Sequence, residues 1–195
     1  MRDTQTAASP APPATGSRIF ISYRREDSAG HAGRLFDRVA ARFGADQIFM
    51  DLRIEAGEDF VERIAEGVGG CAVLLAVIGD EWLDMRDGAG NRRLDDFEDF
   101  LRLEIVAALE RPTRLVPVLV HGAVMPLARD LPAALAPLAR RNAIELSDAR
   151  WDYDVGRLLQ TLERVLETPA TPRDPPPPAR MPRRTRGVPM PLVGA

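Results

Sequence analysis

The sequence contains no lysine, since all 26 of its basic residues are arginine. This absence excludes phosphate binding by a P-loop and Schiff-base chemistry, both of which need a lysine amine. A single cysteine, Cys71, excludes a disulfide framework and a cysteine-based zinc site. The two histidines, His31 and His121, lie far apart in the sequence and predict no metal centre.

Long apolar runs are also missing. The longest unbroken run extends from Cys71 to Ile78, well short of the roughly 20 residues that span a bilayer. The first residues have no apolar segment typical of a secretory signal. The formal net charge is -3, whereas general nucleic-acid binders are usually basic. We therefore expect a cytoplasmic protein with no membrane and no nucleic-acid partner.

Composition divides the 195 residues into three parts. Residues 1–17 are rich in Ala, Pro, Ser and Thr, and residues 168–195 hold nine prolines and five arginines against one aspartate. Neither segment has enough apolar surface to offset the entropy of ordering, so both are predicted to be disordered tails. Residues 18–167 remain as a single domain.

Short apolar runs alternate with amphipathic helical patterns along this domain. Strands are predicted at 19–23, 47–50, 72–78, 115–120 and 143–146, and helices at 30–43, 58–68, 96–110, 131–140 and 152–166. This alternation predicts an α/β, flavodoxin-like three-layer fold with a five-stranded parallel sheet. The natural strand order is 2-1-3-4-5, which places a ligand crevice at the carboxyl ends of strands one and three.

Several chemistries known for such crevices are excluded by motif. G-x-G occurs at Gly67–Gly69, before the third strand, and at Gly88–Gly90, in a polar loop. Neither lies at a strand-to-helix turn, so there is no dinucleotide fingerprint. A G-x-S-x-G nucleophile elbow is missing. A phosphoreceiver domain needs an acidic pair after the first strand, where this chain has arginines.

Charged residues follow the first two strands. Arg24 and Arg25 offer two forked donors suited to phosphate or carboxylate, although a solvated pair balanced by neighbouring acids is the alternative. The next loop carries Asp51, Glu55 and Gly57, which either face a ligand or solvate a mobile loop.

The helix after the third strand carries Phe100 and Glu104. They are four residues apart and therefore lie on one face of the helix. An aromatic ring and a carboxylate stacked at the crevice can hold a planar base and its ribose. A solvated surface glutamate is the alternative interpretation.

Five motifs in order, over residues 18–167, carry a family resemblance: RIFISYRRED, IFMDLRIEAGEDF, CAVLLAVIGDEWL, FLRLEIVAAL and VPVLV. Together they resemble a Toll/interleukin-1 receptor (TIR) domain of the bacterial type. The resemblance implies either a signalling adaptor that associates with other TIR domains, or an enzyme that cleaves NAD+ at the nicotinamide–ribose bond. A nucleoside-processing transferase is a third alternative, but it would need a second carboxylate that the sequence does not identify.

The resemblance also implies roles for individual residues. The family's catalytic glutamate falls on Glu104, and its aromatic partner, often Trp, falls on Phe100. The implied NAD-binding residues are Arg24, Arg25, Asp51, Glu55, Gly57 and Phe100. We therefore expect an NAD+ hydrolase in signal transduction or defence, with NAD+ as substrate, no retained cofactor, no metal and self-association with other TIR domains. The alternative is a non-catalytic protein-binding module.

Overall fold

Five parallel strands form one sheet in the computed structural model, which describes residues 19–50 and 60–167. The strands are β1 (Ile19–Ser22), β2 (Ile48–Met50), β3 (Val73–Ile78), β4 (Arg114–Leu119) and β5 (Ile144–Glu145). Their order is β2-β1-β3-β4-β5, and every neighbouring pair is parallel. The predicted fold class and strand order are therefore confirmed. The predicted tails, residues 1–17 and 168–195, lie outside the described residues.

Four α-helices cover the sheet: α1 (Arg25–Phe43), α2 (Phe60–Gly69), α3 (Phe100–Glu110) and α4 (Trp151–Glu167). α1 and α4 pack on one face, and α2 and α3 on the other. Each side buries an apolar cluster, so the domain has three layers. None of the helices in the described ranges is long and apolar enough to cross a bilayer.

Alternation along the strands divides the core between the two faces. Ile19 and Ile21 of β1 pack on the α1–α4 side, whereas Phe20 packs on the α2–α3 side. Successive strand residues point to opposite faces. Ser22 therefore shares its face with Phe20 and points toward α3, which makes it the polar end of an otherwise apolar row.

The segment between β4 and β5 corrects one sequence prediction. Residues 131–140 form no α-helix, and only Ala136–Arg140 adopt a short 3-10 helix. Pro137 lies inside the predicted helix, where it lacks an N–H donor and its ring clashes with the preceding turn. Leu135 and Leu138 are nevertheless fully buried, so the apolar pattern identified a packed segment but the wrong helix type.

The start of α3 corrects another prediction. The helix begins at Phe100 rather than at residue 96, because the Asp99 side chain accepts a hydrogen bond from the Arg102 N–H and acts as N-cap. Phe97, inside the predicted helix 96–110, precedes the observed helix and is 78% exposed. α1 includes one extra turn from Arg25, separated by a kink at Ser28 (φ -138°, ψ 18°) from the regular helix, which begins close to the predicted residue 30.

Candidate functional site

A serine–glutamate contact joins β1 to α3 at the carboxyl edge of the sheet. Ser22 ends β1, and its Oγ donates a hydrogen bond of 2.6 Å to Glu104 Oε2. Glu104 lies one turn inside α3 and is partly buried. A short bond from a hydroxyl to a carboxylate is charge-assisted and fixes the carboxylate in one orientation. Glu104 is therefore held in place rather than free to sample solvent.

A buried ion pair joins the same two elements. Arg24 follows β1, and Asp99 is the N-cap of α3. The two guanidinium Nη atoms of Arg24 donate to the two carboxylate oxygens of Asp99 at 3.0 and 3.2 Å. Their side chains are only 2% and 4% exposed. Such a two-pronged pair is geometrically specific, so it fixes the start of α3 against the end of β1.

Arg93 extends this network toward the surface. Its Nε lies 3.4 Å from Asp99 Oδ2, and its Nη1 donates to Glu26 Oε1 at 3.3 Å. The pKa of Glu26 is below its usual value because the carboxylate accepts a bond from its own backbone N–H and because Arg93 is close. Glu26 therefore stays ionised and holds Arg93 beside the site.

A cavity of about 270 Å³ opens between β1 and α3. Glu104 lines it together with Phe100, whose ring lies in the first turn of α3 and is 50% exposed. Arg24, Arg25 and Arg93 also line it, and Arg25 is exposed at the surface. The arrangement offers a bound ligand a fixed carboxylate, an accessible aromatic ring and positive charge.

The loop after β3 is tied to α1 by Asp27. Its two carboxylate oxygens each accept a backbone N–H at 3.0 Å, from Gly79 and from Glu81. A Cβ on Gly79 would lie 2.4 Å from the Asp27 carboxylate, so a larger residue here would displace that carboxylate. Asp27 therefore links α1 to the loop after β3 on that side of the predicted crevice. The cavity lies instead between β1 and α3.

Four of the residues predicted from sequence meet at this cavity: Arg24, Arg25, Phe100 and Glu104. Their geometry differs, since Arg24 directs its charge at Asp99 while Arg25 is exposed. The other three predicted residues, Asp51, Glu55 and Gly57, lie outside the described residues.

Sequence reasoning missed three residues that shape the site: Ser22, Asp99 and Arg93. Asp99 had a readable signal, because aspartate directly before a helix is a typical N-cap. Ser22 had a weaker one, as the polar residue two positions after Phe20 on the same strand face. Nothing local in the sequence indicates the contacts of Arg93.

A family model for the TIR domain matches residues 19–159. The chain belongs to the TIR domain family. The match covers all five strands and about half of α4, so both elements that build the cavity lie inside the TIR domain.

A solved structure with a TM-score of 0.56 shares the fold of this TIR domain. The TIR domains of the activated Roq1 resistosome, which directly recognises the pathogen effector XopQ, align with a TM-score of 0.56 and 13% identity, covering 75% of this chain and 99% of that one. A metazoan TIR-STING receptor from C. gigas, in complex with 2′,3′-cGAMP, aligns with a TM-score of 0.43 and 20% identity, covering 76% of this chain and 41% of that one. No curated protein sequence matches the chain.

Proposed function

We propose that this TIR domain hydrolyses NAD+ at the nicotinamide–ribose bond, releasing nicotinamide and ADP-ribose or a cyclic isomer. The observation that carries the proposal is the position of Glu104. Its carboxylate lines an open cavity, is oriented by Ser22, and lies one turn from the exposed ring of Phe100.

The chemistry requires only one carboxylate. When the C–N bond breaks, its electron pair moves to the cationic nicotinamide ring, which leaves as a neutral molecule and needs no general acid. The ribose becomes oxocarbenium-like, as in other glycoside cleavages. Glu104 stabilises this cation, and water then adds to C1′ and loses a proton. A preoriented charge is effective here because it costs no reorganisation during the reaction.

The size of the cavity indicates which part of NAD+ it holds. At about 270 Å³ it is near the lower end of ligand pockets, which span roughly 300–1,000 Å³. We infer that it holds the nicotinamide riboside half, with Phe100 against the ring or ribose. Under this proposal the exposed Arg25 binds the pyrophosphate, while Arg24, paired with Asp99, holds α3 in position. Asp51, Glu55 and Gly57 remain proposed NAD-binding residues.

We further propose that the TIR domain self-associates. The Roq1 TIR domains belong to a resistosome assembly, and a cavity that holds half of the substrate leaves a role for a neighbouring copy. Specific activity should then rise with protein concentration. A specific activity that stays constant over a hundredfold dilution of a monomeric protein would contradict self-association and leave the hydrolase proposal intact.

The decisive experiment incubates concentrated protein with NAD+ and measures released nicotinamide. Glu104→Gln keeps the shape and the helix but removes the charge, so turnover should fall by about 10²- to 10³-fold. Glu110→Gln is the matched control, because Glu110 is an exposed glutamate at the end of the same helix. It should retain activity. If the wild-type protein self-associates but releases no nicotinamide, the non-catalytic module is the better description.

A further inference from the structure

A larger cavity lies at the opposite edge of the sheet from Glu104. Its volume is about 750 Å³, and it is bounded by the amino ends of β4 and β5 and by one side of α4. No aspartate or glutamate of the described ranges lines it. Five arginines do: Arg114, Arg140, Arg141, Arg157 and Arg164.

Three of the five arginines lack a nearby carboxylate among the described residues. In the ranges the structure describes, Arg114, Arg140 and Arg157 have no carboxylate oxygen within 4.0 Å. Most arginines elsewhere do, for example Arg34 with Asp148. Residues 18–167 hold 27 acidic residues against 20 arginines, so acidic partners are in excess. Three arginines without such a partner line this one cavity.

The α4 side of the cavity is a regular polar face. Arg157, Thr161 and Arg164 follow one another at helical spacing. Arg164 Nη2 donates to Thr161 Oγ1 at 3.3 Å, and its Nε donates to the Gln160 carbonyl at 3.3 Å. The opposite side of α4 is anchored in the core by Leu158, which is fully buried. The helix therefore presents these groups from a rigid support.

We propose that this cavity is a second anion site, which binds a small molecule carrying two or three linked phosphate groups. Arginine forks match phosphate oxygens in pairs, and several converging forks favour a ligand with several phosphates. The volume lies within the range of small-molecule pockets, roughly 300–1,000 Å³. No aromatic ring of the described residues lines the cavity, so recognition rests on the phosphates rather than on a stacked base.

The basic C-terminal segment, residues 168–195, is not expected to occupy this cavity. Residues 168–195 carry five arginines and one aspartate, and their net charge of +4 is repelled by the arginines of the cavity. The anion site is also independent of the proposed NAD+ hydrolysis, because it lies at the amino edge of the sheet.

Calorimetric titration of the full chain with tripolyphosphate tests the proposal. The titration is run at about 0.1 M ionic strength, where charges are screened beyond about 10 Å. Arg114→Gln combined with Arg157→Gln should weaken binding about tenfold or more, because each lost charged hydrogen bond contributes about 1.5–3 kcal/mol. Arg129→Gln removes an exposed arginine elsewhere and should leave affinity within twofold.

Parallel titrations identify the source of the phosphates. Equal affinity for tripolyphosphate and ATP supports a site for the phosphate chain, and unchanged binding by Glu104→Gln places it away from the substrate cavity. The proposal is overturned if tripolyphosphate does not bind below millimolar concentration, or if Arg129→Gln weakens binding as much as the cavity variants. It is also overturned if a single-stranded oligonucleotide binds more tightly than both, since that indicates an extended polynucleotide surface.

Discussion

The two edges of the sheet use arginine in opposite ways. At the carboxyl edge, Arg24 is buried and pairs with Asp99. At the amino edge, Arg114 and Arg157 are exposed and line a cavity without a carboxylate partner in the described ranges. Arg24 thus neutralises a buried charge, whereas Arg114 and Arg157 leave their charges exposed to a ligand.

Burial explains the difference. A guanidinium removed from water needs an opposite charge with good geometry, since the desolvation penalty is otherwise several kcal/mol. Arg24 meets that requirement through Asp99, so the pair fixes α3 against the end of β1. The exposed arginines keep their hydration and need no partner, which leaves their charge available to a ligand. An arginine pair in a sequence therefore does not by itself reveal whether its members bind a ligand or hold another element in position.

Breaking the buried pair should have the largest effect on stability. Asp99→Asn keeps the size and N-cap ability of the side chain but leaves the Arg24 charge buried without compensation. We expect the free energy of unfolding to fall by about 3 kcal/mol or more, measured by urea denaturation. Asp95→Asn is the matched control, because Asp95 is 55% exposed in its pair with Arg92, and its loss should cost about 1 kcal/mol or less.

A drop of the same size in both aspartate variants would contradict the distinction drawn between the two kinds of pair. Addition of Arg24→Leu to Asp99→Asn sharpens the test. Removing both charges should cost less than the sum of the single changes, because no uncompensated charge is then left in the interior.

The distance between contacting residues decided what could be predicted from the sequence. The strands followed from local periodicity, and their order followed from the usual topology of such parallel sheets. The common face of Phe100 and Glu104 followed from their spacing on α3. The contact between Ser22 and Glu104 joins residues 82 positions apart, and no local pattern encodes it. The incorrect prediction of a helix at 131–140 had a local cause. The apolar spacing was given more weight than Pro137, which disfavours an α-helix.

The Ser22 hydroxyl should have an intermediate effect, on activity rather than on stability. Under the proposed function, Ser22→Ala leaves Glu104 charged but less firmly oriented, because a hydrogen bond of 2.6 Å is lost. A hydrogen bond to a charged group contributes about 1.5–3 kcal/mol, so kcat should fall about tenfold or more. KM should change less than twofold, since Ser22 does not line the cavity.

Steady-state kinetics of nicotinamide release measure both constants for this variant. Ser28→Ala is a control, because Ser28 is also buried but donates to the Arg24 carbonyl instead. An unchanged kcat for Ser22→Ala would show that the hydroxyl does not position the carboxylate. A fall shared equally by both serine variants would indicate a general loss of packing.

The smallest effect is expected at the amino edge, in the absence of any ligand. Arg114→Gln and Arg157→Gln together remove two like charges from the cavity without breaking an ion pair among the described residues. Exposed substitutions of this kind usually change stability by less than about 0.5 kcal/mol. At low salt the double variant should be as stable as the wild-type protein or slightly more stable, because repulsion between the arginines is relieved. Near 0.5 M salt this difference should vanish, since screening shortens the range of the repulsion to a few Å. Melting temperatures at the two salt concentrations measure this. A loss of many degrees at both would show that these arginines support the fold, as Arg24 does, and that the two edges of the sheet do not differ.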